Sequence, residues 1–246
     1  MTRMILVLAV LLALACSPTA DAQLDQLLKQ LPQIPGSSQT PVPGSLGDVK
    51  IGQGLKEALK VGTENAVKLT GKTDGYFANQ AIKILLPERL KSLESGLRLV
   101  GYGPQVDELV LGMNRAAEHA APAAKQIFFD AIGEMTIDDA RKILDGAPTA
   151  ATDYFKVKTT APLTTAFKPI VDRSMSQVGV TRQYDELLNR ARAIPFMNVE
   201  QYDLDNYVVG KSLDGLFHVV GEQEKQIRAN PSARVTDLLK EVFGHR

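Results

Sequence analysis

The sequence predicts an all-α protein: a single multi-helix domain of short antiparallel helices, preceded by a signal peptide and a Pro/Gly/Ser-rich tether. Three observations lead there. From residue 48 onward, apolar residues recur at i, i+3, i+4 and i+7. Between these stripes stand caps, glycines and prolines at the positions where helices start and stop. No run alternates like a half-buried strand, and no segment repeats at a fixed period. The 246 residues are enough to bury one real core.

Residues 1–22 read as an export signal: Arg3, then the apolar "MILVLAVLLALA" (4–15), then "CSPTADA" (16–22). The apolar run is too short to span a bilayer comfortably and leads into small residues. Two processing outcomes are compatible with it. Cleavage after Ala20-Asp21-Ala22 releases a soluble chain, whereas "ALAC" (13–16) resembles a lipobox that would place a lipid on Cys16. Both lead out of the cytoplasm, to a periplasmic, secreted or membrane-anchored protein. Cys16 is the only cysteine, so the mature body has no disulfide, thiol nucleophile or zinc–thiolate cluster.

Residues 23–47 combine a short leucine stripe (Leu24, Leu27, Leu28, Leu31) with the tether "PQIPGSSQTPVPGSLG" (32–47). The domain proper covers 48–246. Asp48 is placed to cap a helix carrying Ile51, Leu55, Leu59, Ala66 and Leu69 up to Gly71. Gly52, Gly54 and Gly62 inside it predict close packing or a break. "KTDGYFANQ" (72–80) is a turn, and 81–86 before Pro87 a helix junction. Leu90, Leu93, Leu97 and Val100 form the next stripe, ended by "GYGP" (101–104). Val106 to about Ala121 is helical, and Pro122 opens a helix with Ile127, Phe128 and Ile132. Pro162 and Pro169 bracket or kink a helix ending at Gly179. "TRQYDELLNRARA" (181–193) forms another, "IPFMN" (194–198) a loop, and 203–231 one or two helices. Asn230 caps a closing helix with Pro231 in its first turn and Gly244 past its end.

"EMTIDDARKILDGAPTAATDYF" (134–155) raises the question of paired carboxylates. Thr136 and Asp139 have capping-box spacing, and Asp138 and Asp139 fall in the first turn, where the helix dipole favours negative charge. Ile137, Ala140 and Leu144 make the buried face, Gly146 the left-handed exit, and Pro148 starts the next helix. Asp138 and Asp139 project about 100° apart, which is poor geometry for a shared proton.

On "SLDGLFHVVGEQEKQIR" (212–228), Glu224 projects into the middle of the apolar face of Leu213, Leu216, Phe217, Val220 and Ile227. Arg228 is one turn away. A buried carboxylate must be paired or neutral. The pair is therefore either a clamp fixing helix register or a polar anchor in an apolar cleft, unless the helix breaks at Gly221. Asn114 and Glu118 stand one turn apart beside Val110, Met113 and Ala117, as an inter-helix hydrogen-bonding pair or part of a ligand set. Glu224, Arg228, Asn114 and Glu118 are thus the candidate ligand-binding residues.

Several chemistries find no support. The formal net charge is zero, Trp is absent and aromatics make up 6%, so no nucleic-acid footprint is seen. His119, His218 and His245 are scattered without metal-ligand spacing, and "DLDNY" (203–207) lacks the glycine and glutamate of a calcium loop. No hydrolase elbow, phosphate loop or kinase signature occurs. No metal, cofactor or transmembrane span is expected in the mature chain.

Four blocks carry a family likeness: "DGYFANQAIKILLP" (74–87), "MNRAAEHA" (113–120), "MTIDDARKILDGAPTAATDYF" (135–155) and "LDGLFHVVGEQEKQIRANPSARVTDLLKEVFG" (213–244). In this order they resemble an exported bacterial family catalogued as domain of unknown function 4197, from Ile51 to Phe243. The resemblance implies an all-helical body behind a signal peptide in Gram-negative bacteria, and no activity.

Three functions compete on the sequence. The first is a non-enzymatic periplasmic binding or scaffold protein, with a lipid or an envelope protein as partner. The second is a cell-envelope hydrolase or lyase using Asp138, Asp139, Asp153 or Glu118. The third is a partner protein that docks through residues 24–31.

Overall fold

The apolar stripes fold as helices throughout the residues that the structure, a computed structural model, describes: 46–177, 179–192 and 202–229. In chain order these are α1 (Leu46–Gly71), α2 (Lys91–Leu99), α3 (Gly103–Ala120), α4 (Ala124–Glu134), α5 (Ile137–Asp145), α6 (Ala150–Gln177), α7 (Val180–Arg192) and α8 (Leu204–Ala229). Single 3₁₀ turns precede α2 and α4. No strand occurs among the described residues. They belong to one compact unit, Pro43–Arg246. The signal peptide, leucine stripe 24–31, tether up to residue 45, loop 194–198 and closing helix with an Asn230 cap that the sequence predicts, and Cys16, lie outside the described residues.

The core forms around α8, which packs against α1, α3 and α6. Its sequence explains why. Buried residues follow one another as Leu213, Gly215, Leu216, Phe217, Val219, Val220 and Gly221, far wider than the single stripe of a surface helix. Two glycines let neighbours approach. A Cβ on Gly215 would lie 2.6 Å from the Tyr76 ring, and one on Gly62 of α1 would lie 3.3 Å from Ile227. Phe128 of α4 meets Phe155 of α6 and Phe217 of α8 edge-on, with centroids 5.1 and 6.2 Å away. Buried hydroxyls on helices bond back to their own carbonyls, as Thr63, Thr70, Thr159 and Ser212 do.

The structure corrects the sequence reading at several points. α1 is already running at Leu46, so Asp48 lies within its first turn and not at the position before the helix. Gly52, Gly54 and Gly62 do not break α1, while Ile51 and Leu69 stay exposed. α6 runs unbroken through Pro162 and Pro169, both on its exposed side, where each removes only one backbone donor. α8 likewise continues through Gly221. Gly146 has an extended φ of −81°. It is small for a different reason: a Cβ there would come within 2.7 Å of Ala150 and of the Lys142 carbonyl. The junction expected at residues 81–86 is a non-helical segment between α1 and α2. Ile82, Ile84 and Leu86 are buried while Ala81 and Leu85 are exposed, the period-two pattern of an extended segment.

Candidate functional site

Glu224 sits on the buried face of α8, with 6% of its surface exposed. Its carboxylate faces the start of α6. Oε1 accepts the Ala151 N–H at 2.9 Å, and Oε2 accepts the Thr152 N–H at 2.9 Å and the Thr152 hydroxyl at 2.8 Å. The first N–H groups of a helix have no partner of their own and carry its positive pole, so a carboxylate from another helix is a strong cap there. Arg228, one turn further along α8, donates to Glu224 Oε1 through Nε at 3.1 Å and Nη2 at 3.0 Å. The same guanidinium reaches the end of α5, donating to the Ile143 carbonyl at 2.7 Å and to Leu144 at 3.3 Å. One ion pair thus caps the C-terminus of α5 and the N-terminus of α6 at once. The cavity beside it, walled by Leu55, Leu59 and Ile227 among others, holds about 10 Å³. That is room for one water at most, which leaves no apolar cleft for the anchor role.

Asn114 and Glu118, on α3, act on the non-helical segment between α1 and α2. Asn114 Oδ1 accepts the Ile84 N–H at 2.8 Å, and Nδ2 donates to the Ile84 carbonyl at 2.8 Å. The side-chain amide takes the place of a neighbouring strand. Glu118, 2% exposed, accepts the N–H groups of Tyr76 and Phe77 at 3.1 Å each. Arg115 bridges Glu118 at 2.6 Å to Asp74 at 2.7 Å. Asp74 has a φ of 64°, the left-handed region that an aspartate tolerates better than most residues. Tyr76, fully buried, donates from its phenol to the Ser212 carbonyl of α8 at 2.6 Å. Burial, and then the nearby Glu118 charge, push that phenol far above its ordinary value.

The remaining candidates stand apart from one another. Thr136 caps α5: its Oγ1 accepts the Asp139 N–H at 3.1 Å, and the Asp139 carboxylate accepts the Thr136 N–H at 3.1 Å and its hydroxyl at 2.8 Å. Those bonds, the hydroxyl's first, hold the Asp139 carboxyl below its usual range. The Asp138 side chain is 78% exposed and lies 3.8 Å from Arg141. Asp153 is exposed on α6. The "DLDNY" motif is likewise a helix start, where Asp203 accepts the Asn206 N–H at 3.0 Å. Among the described residues no cluster of three His, Cys, Asp or Glu could hold a metal ion.

Sequence reasoning missed an open groove between residues 81–91 and α8. It encloses about 630 Å³. One wall is the extended segment with Ile82, Leu85 and Leu86, and the other is α8 with Tyr207, Lys211 and Gly215. The Tyr207 phenol donates to the Leu85 carbonyl at 2.9 Å and ties the walls together. The alternation of Ile82, Ile84 and Leu86 was the available signal.

Fold and site together define an all-α domain whose buried polar side chains bind backbone, with an open cleft along its central helix. The chain belongs to the family described as protein of unknown function, DUF4197, which matches residues 45–244. No curated protein matches the chain, and no solved structure does. No described helix is long and apolar enough to cross a membrane.

Proposed function

We propose that this chain is an exported, non-enzymatic binding or scaffold protein of the bacterial cell envelope. One observation carries the reading: the buried polar candidates Asn114, Glu118 and Glu224 are engaged by backbone groups of other segments, and the two acids also by Arg115 and Arg228. A general acid or nucleophile needs a free face toward a substrate, and these have none. The acids with free faces, Asp138 and Asp153, lie on α5 and α6 at the surface rather than together in a cleft. Binding asks less of the site: a concave surface with apolar area and a few polar groups. The export segment of the sequence supports an envelope location.

Native mass spectrometry on protein isolated from its own periplasm tests the reading. A co-purifying small molecule or protein partner is the expected result. A clean apo mass, together with turnover that Asp138→Asn or Asp153→Asn abolishes, would replace binding with catalysis.

A further inference from the structure

We propose that the groove between residues 81–91 and α8 binds a small amphipathic anion, a carboxylate or phosphate head on an alkyl body. The inference rests on the binding-protein reading and gives it a location and a ligand class. Three features carry it.

The first is size and lining. About 630 Å³ lies within the range of small-molecule sites. The exposed Leu85 offers apolar area to an alkyl body, with the buried Ile82 and Leu86 in the same lining and the Tyr207 ring fixed opposite by its bond to Leu85.

The second is charge. Lys83, Arg89, Lys91 and Lys211 line the groove against only Glu88 and Asp214, while the whole chain is neutral. Both acids are already engaged, Glu88 by Lys91 at 2.7 Å and Asp214 by Lys211 at 3.2 Å. Lys83 lies 4.1 Å from the centre of the Phe77 ring. Arg89 has no acidic partner among the described residues, so its planar fork is available for a two-oxygen head group.

The third is rigidity. Asn114 holds Ile84 through both of its backbone groups, so the wall carrying Leu85 and leading to Arg89 is fixed before any ligand arrives. A preformed wall lowers the ordering cost of binding. Asn114 is therefore a positioning residue for this groove and touches no ligand.

Titration calorimetry on the full chain can use decanoate, decyl phosphate, decanol and inorganic phosphate as probes. Decanoate or decyl phosphate should bind, with decanol and inorganic phosphate each weaker by about tenfold or more. Whichever anion binds more tightly indicates a fatty-acid or a phospholipid-like head. Arg89→Glu should weaken the anionic probes by about tenfold and leave decanol unchanged. Leu85→Asp, also at an exposed position, should weaken all the alkyl probes; circular dichroism verifies that both variants fold. Anion affinity indifferent to Arg89, or decanol binding as well as decanoate, overturns the assignment. If the native protein nevertheless carries a ligand, the groove is wrong and the binding-protein reading stands. If it carries none and no probe binds, both fall.

Discussion

Replacing Glu224 by Ala probes the junction on which the α5–α6 hairpin rests. The substitution leaves the Ala151 and Thr152 N–H groups without their acceptor at a buried helix start. It also leaves the Arg228 guanidinium, whose side chain is 17% exposed, without its carboxylate. A buried donor stranded without a partner costs about 1–3 kcal/mol, and removing one member of a buried ion pair about 3–5 kcal/mol. These figures overlap, because the same carboxylate serves both, so about 3–5 kcal/mol is the sensible total. Against a typical total stability of about 5–15 kcal/mol this is severe. At about 2–4 °C per kcal/mol for a domain of this size, the melting temperature should fall by about 10 °C. Calorimetric melting of Glu224→Ala, Arg228→Met and the double variant is the assay. In the double variant no charge is left uncompensated, so it should be less destabilised than the two single losses added together, by about 1–3 kcal/mol of coupling. A Glu224→Ala protein melting within about 2 °C of the parent, or strictly additive losses, would refute the clamp.

Four further substitutions test the rest of the frame. Gly215→Ala puts a Cβ 2.6 Å from the Tyr76 ring and 3.1 Å from Ile82; overpacking of this kind costs about 1–3 kcal/mol, read as a lower midpoint in urea. Tyr76→Phe loses one buried bond to Ser212 and should cost about 1 kcal/mol. Because the folded phenol holds its proton above the pH at which an unfolded tyrosine releases it, the parent should lose stability as pH rises beyond about 10, and Tyr76→Phe should lose less. Spectrophotometric titration of tyrosinate, with melting at each pH, measures both. Thr136→Ala removes the α5 cap for about 1 kcal/mol. The folded Asp139 carboxyl sits low, so its contribution is present above the ordinary carboxylate range and fades as pH falls through the folded value. The gap in melting temperature between parent and Asp139→Asn should therefore be widest near neutral pH and close in acid.

Most of the helices were legible because each writes its own boundaries. Thr136 with Asp139 marks the start of α5, and the leucines of α2 show their period without outside help. What the sequence concealed depends on contacts distant along the chain. Residues 81–86 look like a helix junction because isoleucine and leucine suit either state. An amide on α3 makes the junction extended, by supplying Ile84 with the hydrogen bonds of a strand neighbour. Pro162 and Pro169 suggest interruptions, yet both fall on the exposed side of α6, while Leu163 and Phe167 pack in the core. The projection that put Glu224 on the core face of α8 found the residue and its Arg228 partner. It could not find their targets, because Ala151 and Ile143 offer backbone groups, which have no signature in sequence.

A common rule links the two polar clusters. Long helices expose their backbone only at their ends, whereas a turn or an extended segment exposes it along its length. This chain buries both kinds against α8 and α3, and water cannot reach them there. Each therefore has a carboxylate or an amide aimed at it from a helix already in the core: Glu224 at the start of α6, Glu118 at Tyr76 and Phe77, Asn114 at Ile84. Side chains used in this way cannot also turn over a substrate, because withdrawing any of them would strand buried donors. Chemistry or recognition is thereby left to the surface, and the groove beside α8 lies on the segment that Asn114 and Glu118 hold in place.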